Sequence, residues 1–130
     1  MKLQTFLTIA AAIAIVFGLV FLLAPARALA QYGIVATPGT VIMARFFAAT
    51  LLNLGFLLLF ARRVADSPTR MGIVRGSLIG AVLGLLVAIH GQRVGAVNAL
   101  GWSSVAIYAL LTLGYAYFAF GQPVDGSGAR

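Results

Sequence analysis

Four apolar segments of about twenty residues each constrain the fold of this chain more than any other feature. They cover residues 5–24, 41–60, 72–89 and 102–120. A helix needs about 20 mainly apolar residues to cross the hydrocarbon core of a bilayer. Of all residues, 62% are hydrophobic and only 8% are charged, whereas soluble domains average about 25% charged residues. The sequence therefore predicts an all-α integral membrane protein with a bundle of four transmembrane helices.

The four spans are predicted to form one domain over residues 1–121. Segment 122–130 is rich in Gly and Ser and is predicted to be a disordered cytoplasmic tail. An alternative is that residues 1–30 are a cleaved signal peptide, because Lys2, an apolar run and the sequence Ala28-Leu29-Ala30 follow one another. The apolar run exceeds the roughly 7–15 residues of a usual signal core, which favours a retained span.

Basic residues predict the orientation of the spans. An even number of spans places both termini on one side of the membrane, and six basic residues fall on that side against three on the other. The first group is Lys2, Arg62, Arg63, Arg70, Arg75 and Arg130, and the second is Arg27, Arg45 and Arg93. Because Lys and Arg accumulate in cytoplasmic loops, we predict a multi-pass protein of the bacterial inner membrane with both termini in the cytoplasm.

The third span carries a small residue at every fourth position. Four-residue spacing keeps these positions close to one helical stripe, and small residues let helices approach closely in lipid. The stripe predicts tight helix packing, and the small positions of the first span predict that the first and third spans pair. These predicted packing residues are Gly72, Gly76, Gly80, Gly84 and Ala88 in the third span, and Ala10, Ala14 and Gly18 in the first.

The two halves of the sequence resemble each other. A run that starts at Gly18 leads to Arg27, and a similar run from Gly84 leads to Arg93 at the same offset. This echo predicts two helical hairpins arranged as a parallel repeat, related by an axis along the membrane normal. It also places Asn53 and Thr112 at matching depths, where both are predicted to form hydrogen bonds in the bundle core.

A few polar residues near the non-terminal ends of the spans are candidates for binding a lipid or another ligand. Arg45 lies inside the second span, and charged residues at membrane depth are functional candidates by default. Snorkelling to lipid phosphates is the structural alternative for Arg45. His90, Arg93 and Trp102 lie near the same interface, where they are predicted to contact the polar head of a ligand.

Catalytic and metal chemistry have few candidates. The chain has no Cys and one His, whereas a metal site normally needs three or more suitable ligands. No metal site and no resident cofactor are therefore predicted, with axial ligation of a haem or chlorin by His90 as an alternative. Paired carboxylates and nucleophile–base sets are missing as well, and no basic helical face suggests nucleic-acid binding. We expect a protein that is not an enzyme.

Short motifs resemble a known family. The second span opens with Met43-Ala44-Arg45-Phe46-Phe47-Ala48-Ala49, the first ends with Leu23-Ala24-Pro25, and Tyr32-Gly33 lie between them. Over residues 5–120 these motifs resemble small four-span bacterial proteins of domain-of-unknown-function family 4345. Many members carry an acidic residue two positions before the arginine, where this chain has Met43. The resemblance implies a four-helix fold and a membrane location, and it implies no activity.

These observations lead to three expectations about function. The first is an accessory or scaffold subunit, or a homo-oligomer, that acts by packing against other membrane subunits or against itself. The second is a binder or carrier of a lipid or a small hydrophobic molecule. The third is a pigment- or haem-associated subunit of an energy-converting complex. Membrane lipids are expected partners in every case, and nucleic acids in none.

Overall fold

A computed structural model describes residues 1–121, and the predicted tail 122–130 lies outside the described residues. The described chain consists of helices joined by short connections. They are α1 (Leu3–Leu23), α2 (Pro25–Gln31), α3 (Pro38–Ala61), α4 (Ser67–Arg93) and α5 (Gly101–Phe120). All of them except the short α2 are long and apolar enough to cross a membrane. The prediction of an all-α, four-span fold is confirmed, and the chain is a multi-pass membrane protein.

Capping and turn residues set the ends of the helices. The Thr37 hydroxyl accepts a hydrogen bond of 3.2 Å from the backbone N–H three residues later, which caps the start of α3. Asp66 caps α4 in the same way at 3.1 Å. Gly33 follows α2 with a φ of 74°, and Gly95 follows α4 with a φ of 68°. Glycine adopts this left-handed conformation without steric cost, so both positions allow the chain to reverse direction.

The spans pack as two hairpins. α1 lies along α3 to form the first hairpin, and α4 lies along α5 to form the second. Within residues 1–121, no Cα atom of α1 lies within 8 Å of one in α4. The expected pairing of the first and third spans is therefore wrong. Gly18 of α1 instead allows close packing within the first hairpin. A Cβ placed on it would lie only 2.8 Å from Cγ of Leu52 in α3.

The outward faces of both hairpins are apolar. Many large hydrophobic side chains are more than half exposed, including Val16, Phe46, Phe60, Leu83, Val87, Leu110 and Leu113. No polar or charged residue is buried within the part of the chain that the structure describes. Such a surface suits acyl chains, because polar and charged side chains are costly in hydrocarbon.

The two polar residues of the sequence echo do not meet in the core. Asn53 is exposed on the outer face of α3. At about 100° per residue it lies about 140° around the helix from Ala48, which is fully buried. Thr112 is half-buried in α5, and its hydroxyl oxygen is buried without a hydrogen-bond partner. The predicted placement of Asn53 in the core is therefore wrong, because α3 turns its alanine and glycine side inward.

Candidate ligand cavity

A cavity of about 630 Å³ separates the two hairpins at the middle of the bundle. All four spans line it, and it is partly open between the hairpins. Ligand pockets in proteins usually enclose about 300–1,000 Å³, so this central cavity is large enough for a small molecule or a stretch of acyl chain. Residues of α2 and of the connections after α2 and α4 line it as well.

Small residues create the space. Ala10 and Ala14 of α1 face the cavity from one hairpin, and Gly76, Gly80 and Ala81 of α4 face it from the other. A Cβ placed on Gly76 or Gly80 would have no atom of another described element within 4 Å. The absence of side chains at these positions therefore contributes directly to the volume of the cavity.

The glycines of α4 thus differ from one another in what they face. Gly72 also has open space around it within the described chain, but it does not line the cavity. Gly84 is the exception, because a Cβ there would overlap the aromatic ring of Tyr108 in α5. Ala88, the last position of the stripe, is half-buried. Inside this chain the stripe therefore forms a tight helix contact at Gly84, whereas Gly76 and Gly80 are exposed and border the open side of the cavity.

Aromatic packing closes the cavity on the side of the membrane that holds the N-terminus, which we call the terminal side. Phe6 of α1 packs edge-on against Tyr115 of α5, with ring centroids 4.9 Å apart. Its ring also contacts Phe118 at 5.4 Å. Leu58 and Val74 complete this cluster and are 1% and 0% exposed. All four spans meet here, so the hairpins are held together at this end.

Hydrogen bonds close the cavity on the opposite side. The Asn98 backbone N–H donates to the carbonyl of Tyr32 at 3.0 Å. The Asn98 side-chain amide donates to the carbonyl of Gln31 at 2.9 Å. These bonds join the connection between α4 and α5 to the loop after α2. The two hairpins are therefore in contact at both ends of the cavity, through aromatic packing at one end and hydrogen bonds at the other.

The lining of the cavity is almost entirely apolar. Its polar groups are hydroxyls only, from Tyr32, Thr50, Ser77, Ser104, Tyr108 and Tyr115. Thr50 donates its hydroxyl hydrogen to the carbonyl of Phe46 at 3.1 Å, and the Tyr32 and Ser104 hydroxyls lie 3.4 Å apart. No charged side chain lines the cavity. The site therefore suits a hydrocarbon ligand with at most a hydroxyl or carbonyl group.

The ligand-binding residues predicted from the sequence lie elsewhere. Arg45 is exposed near the start of α3, and His90 and Arg93 are exposed in the last turn of α4. Trp102 is 57% exposed at the start of α5. None of these four residues lines the central cavity. Within residues 1–121 no group of three His, Cys, Asp or Glu residues is arranged to hold a metal ion.

Sequence reasoning missed the residues that define this site. Tyr32 and Tyr108 line the cavity, and the sequence indicates neither as a candidate binding residue. Phe6 and Asn98 secure its two ends. One signal was present in the sequence, since small residues cluster at corresponding positions of the first and third spans. That signal indicates either close contact or empty space, and only the structure separates the two.

Comparisons with protein families, with curated proteins and with solved structures find nothing that matches this chain. The resemblance to the domain-of-unknown-function family stays a prediction. The fold and the cavity are therefore the basis for a functional argument.

Proposed function

We propose that this protein binds a hydrophobic molecule, a lipid or another ligand with a hydrocarbon chain, in the central cavity. The proposal rests on a cavity of about 630 Å³ with an apolar lining. It lies between the aromatic cluster around Phe6 and the hydrogen bonds of Asn98. This assigns to the chain a role as a binder or carrier in the membrane, and no enzymatic activity.

The apolar lining and the opening between the hairpins favour an apolar occupant. Because the cavity is partly open between the hairpins, a hydrocarbon chain can enter it from the bilayer. Lining atoms without neighbours lose their dispersion contacts. An apolar ligand restores those contacts, since it needs no hydrogen bonds from the lining.

The charge distribution supports a location in the bacterial inner membrane with both termini in the cytoplasm. Among the described residues, five basic side chains lie on the terminal side and three on the opposite side. They are Lys2, Arg62, Arg63, Arg70 and Arg75 against Arg27, Arg45 and Arg93. This excess follows the positive-inside rule, and reporter fusions at the two ends of the chain test the orientation.

Filling the cavity tests the proposal. Gly80→Leu adds a side chain where a Cβ has open space around it and where the backbone lines the cavity. Native mass spectrometry of the protein extracted in mild detergent should show a bound hydrophobic adduct on the wild type. We expect the Gly80→Leu variant to lose most of that adduct.

Gly72→Leu is the matched control. Gly72 lies on the same stripe of α4 and also has open space, but it does not line the cavity. The Gly72→Leu variant should therefore keep the adduct at the wild-type level. Retention of the adduct by both variants, or its loss from both, would contradict binding in the cavity.

A second candidate function is self-association, which Asn53 favours. Its side chain is exposed on the outer face of α3, where hydrocarbon offers an amide no hydrogen-bond partner. The same residue of a second copy supplies both a donor and an acceptor, and such bonds contribute about 0.6 kcal/mol on average between membrane helices. Cross-linking of wild type and Asn53→Leu in membranes tests this, because the variant is expected to form a smaller fraction of dimers than the wild type.

A further inference from the structure

A second, polar groove lies on the terminal side of the first hairpin. Its lining comes from Gln4, Thr5, Thr8 and Ile9 in α1 and from Arg62 and Arg63 after the end of α3, and it measures about 460 Å³. We call it the arginine groove. None of these residues lines the central cavity, so the two sites are separate.

The guanidinium of Arg62 is only partly satisfied by the protein. Its Nη1 donates a hydrogen bond of 3.3 Å to the hydroxyl oxygen of Thr8. That hydroxyl in turn donates to the carbonyl of Gln4 at 2.8 Å. The Nε of Arg62 is buried and has no hydrogen-bond partner among the described residues. A guanidinium carries five N–H donors, so Arg62 has further donors available to an acceptor in the groove.

The charge of the groove is also unbalanced. Asp66 is the single acidic residue in positions 1–121. Its carboxylate caps α4, where it accepts hydrogen bonds from the backbone N–H and the hydroxyl of Thr69. Arg62 and Arg63 therefore line the groove as adjacent positive charges. The Asp66 carboxylate forms its hydrogen bonds at the start of α4. Both arginine charges therefore attract an anion that enters the groove.

We propose that the arginine groove binds a phosphate group, with Arg62 and Arg63 as the ligands that carry the charge. Arginine presents a planar fork of donors that matches the oxygens of phosphate, and charge-assisted hydrogen bonds of this kind are the strong ones. The Thr5 hydroxyl lines the same groove as a further donor. The phosphate is either the headgroup of an anionic lipid or a phosphate free in solution.

The position of the groove matches a lipid headgroup. It lies at the terminal-side ends of two membrane spans, which is the depth of the headgroups of one leaflet. Ile9 lines the groove one helical turn further into the membrane than Thr5 and is 48% exposed. An acyl chain attached to the phosphate would therefore continue along an apolar surface.

Retention of added phospholipids and of inorganic phosphate tests the proposal. The protein in a neutral detergent is mixed with phosphatidylglycerol, with phosphatidylcholine or with inorganic phosphate, and retention of each is followed by native mass spectrometry. We expect phosphatidylglycerol to be retained, and Arg62→Gln and Arg63→Gln to lower its retention about tenfold, as loss of a charge-assisted hydrogen bond predicts. Retention of inorganic phosphate with the same dependence on both arginines would identify the free ion as the source.

Arg75→Gln is the matched control, because Arg75 is an exposed arginine on the same side that does not line the groove. Retention of phosphatidylglycerol should stay at the wild-type level in this variant. Arg63 is also exposed, so Arg63→Gln reports on binding even if Arg62→Gln does not fold. Equal retention by the Arg63→Gln, Arg75→Gln and wild-type proteins would overturn the proposal. Gly80→Leu should leave this binding unchanged, which separates it from the central cavity.

Discussion

Alanine substitutions in α4 distinguish a glycine that borders the cavity from a glycine that packs against Tyr108 of α5. At Gly80 a Cβ has no atom of another element within 4 Å in the described chain. Gly80→Ala should therefore gain helix propensity, up to about 1 kcal/mol. At Gly84 a Cβ overlaps the ring of Tyr108, and overpacking costs about 1–3 kcal/mol. We expect Gly84→Ala to be less stable than Gly80→Ala by about 1–3 kcal/mol.

Reversible unfolding of each variant in mixed detergent micelles, followed by circular dichroism, measures this difference. Gly72→Ala is a further reference, since it also has open space and should behave like Gly80→Ala. Equal stabilisation by Gly80→Ala and Gly84→Ala would refute the contact with Tyr108. Destabilisation by both Gly72→Ala and Gly80→Ala would instead mean that the whole stripe is packed, which contradicts a cavity at this position.

Four further substitutions probe the two ends of the cavity and the outer face. Phe6→Ala should cost about 3–5 kcal/mol, because Phe6 is 6% exposed, whereas Phe46→Ala, at 63% exposure, should change unfolding little. Asn98→Ala removes two side-chain hydrogen bonds and should cost about 1–3 kcal/mol in the same unfolding assay. Asn53→Ala should leave monomer unfolding unchanged, and a large loss of stability would show that Asn53 is buried.

The sequence predicted the spans well because membrane thickness is a strong constraint on apolar helix length. The predicted span 41–60 corresponds to α3 at Pro38–Ala61, and 102–120 to α5 at Gly101–Phe120. The loop predicted between the first two spans contains α2, a two-turn helix that begins at Pro25. Proline is favoured in the first turn of a helix, but a helix this short has too weak an apolar period to be recognised.

Helix partners and side-chain environments were harder to predict. Hydropathy identifies which segments enter the membrane, but it does not identify which faces meet. The stripe from Gly72 to Gly84 was interpreted as one contact surface, yet Gly84 contacts Tyr108 while Gly80 faces the cavity. Both outcomes need the same small residue, so composition alone does not distinguish them. Asn53 was placed in the core by its depth in the membrane, whereas its direction around α3 decided its exposure.

Photo-crosslinking in membranes decides whether the cavity holds an apolar ligand. A fatty acid with a diazirine in its chain is added to membranes that contain the protein, and labelled residues are mapped by peptide mass spectrometry with and without excess unmodified fatty acid. We predict saturable labelling of cavity residues such as Ser77 and Ile107, which the competitor abolishes. Labelling confined to outward residues such as Leu83 and Leu110, and unaffected by the competitor, would contradict ligand binding between the hairpins.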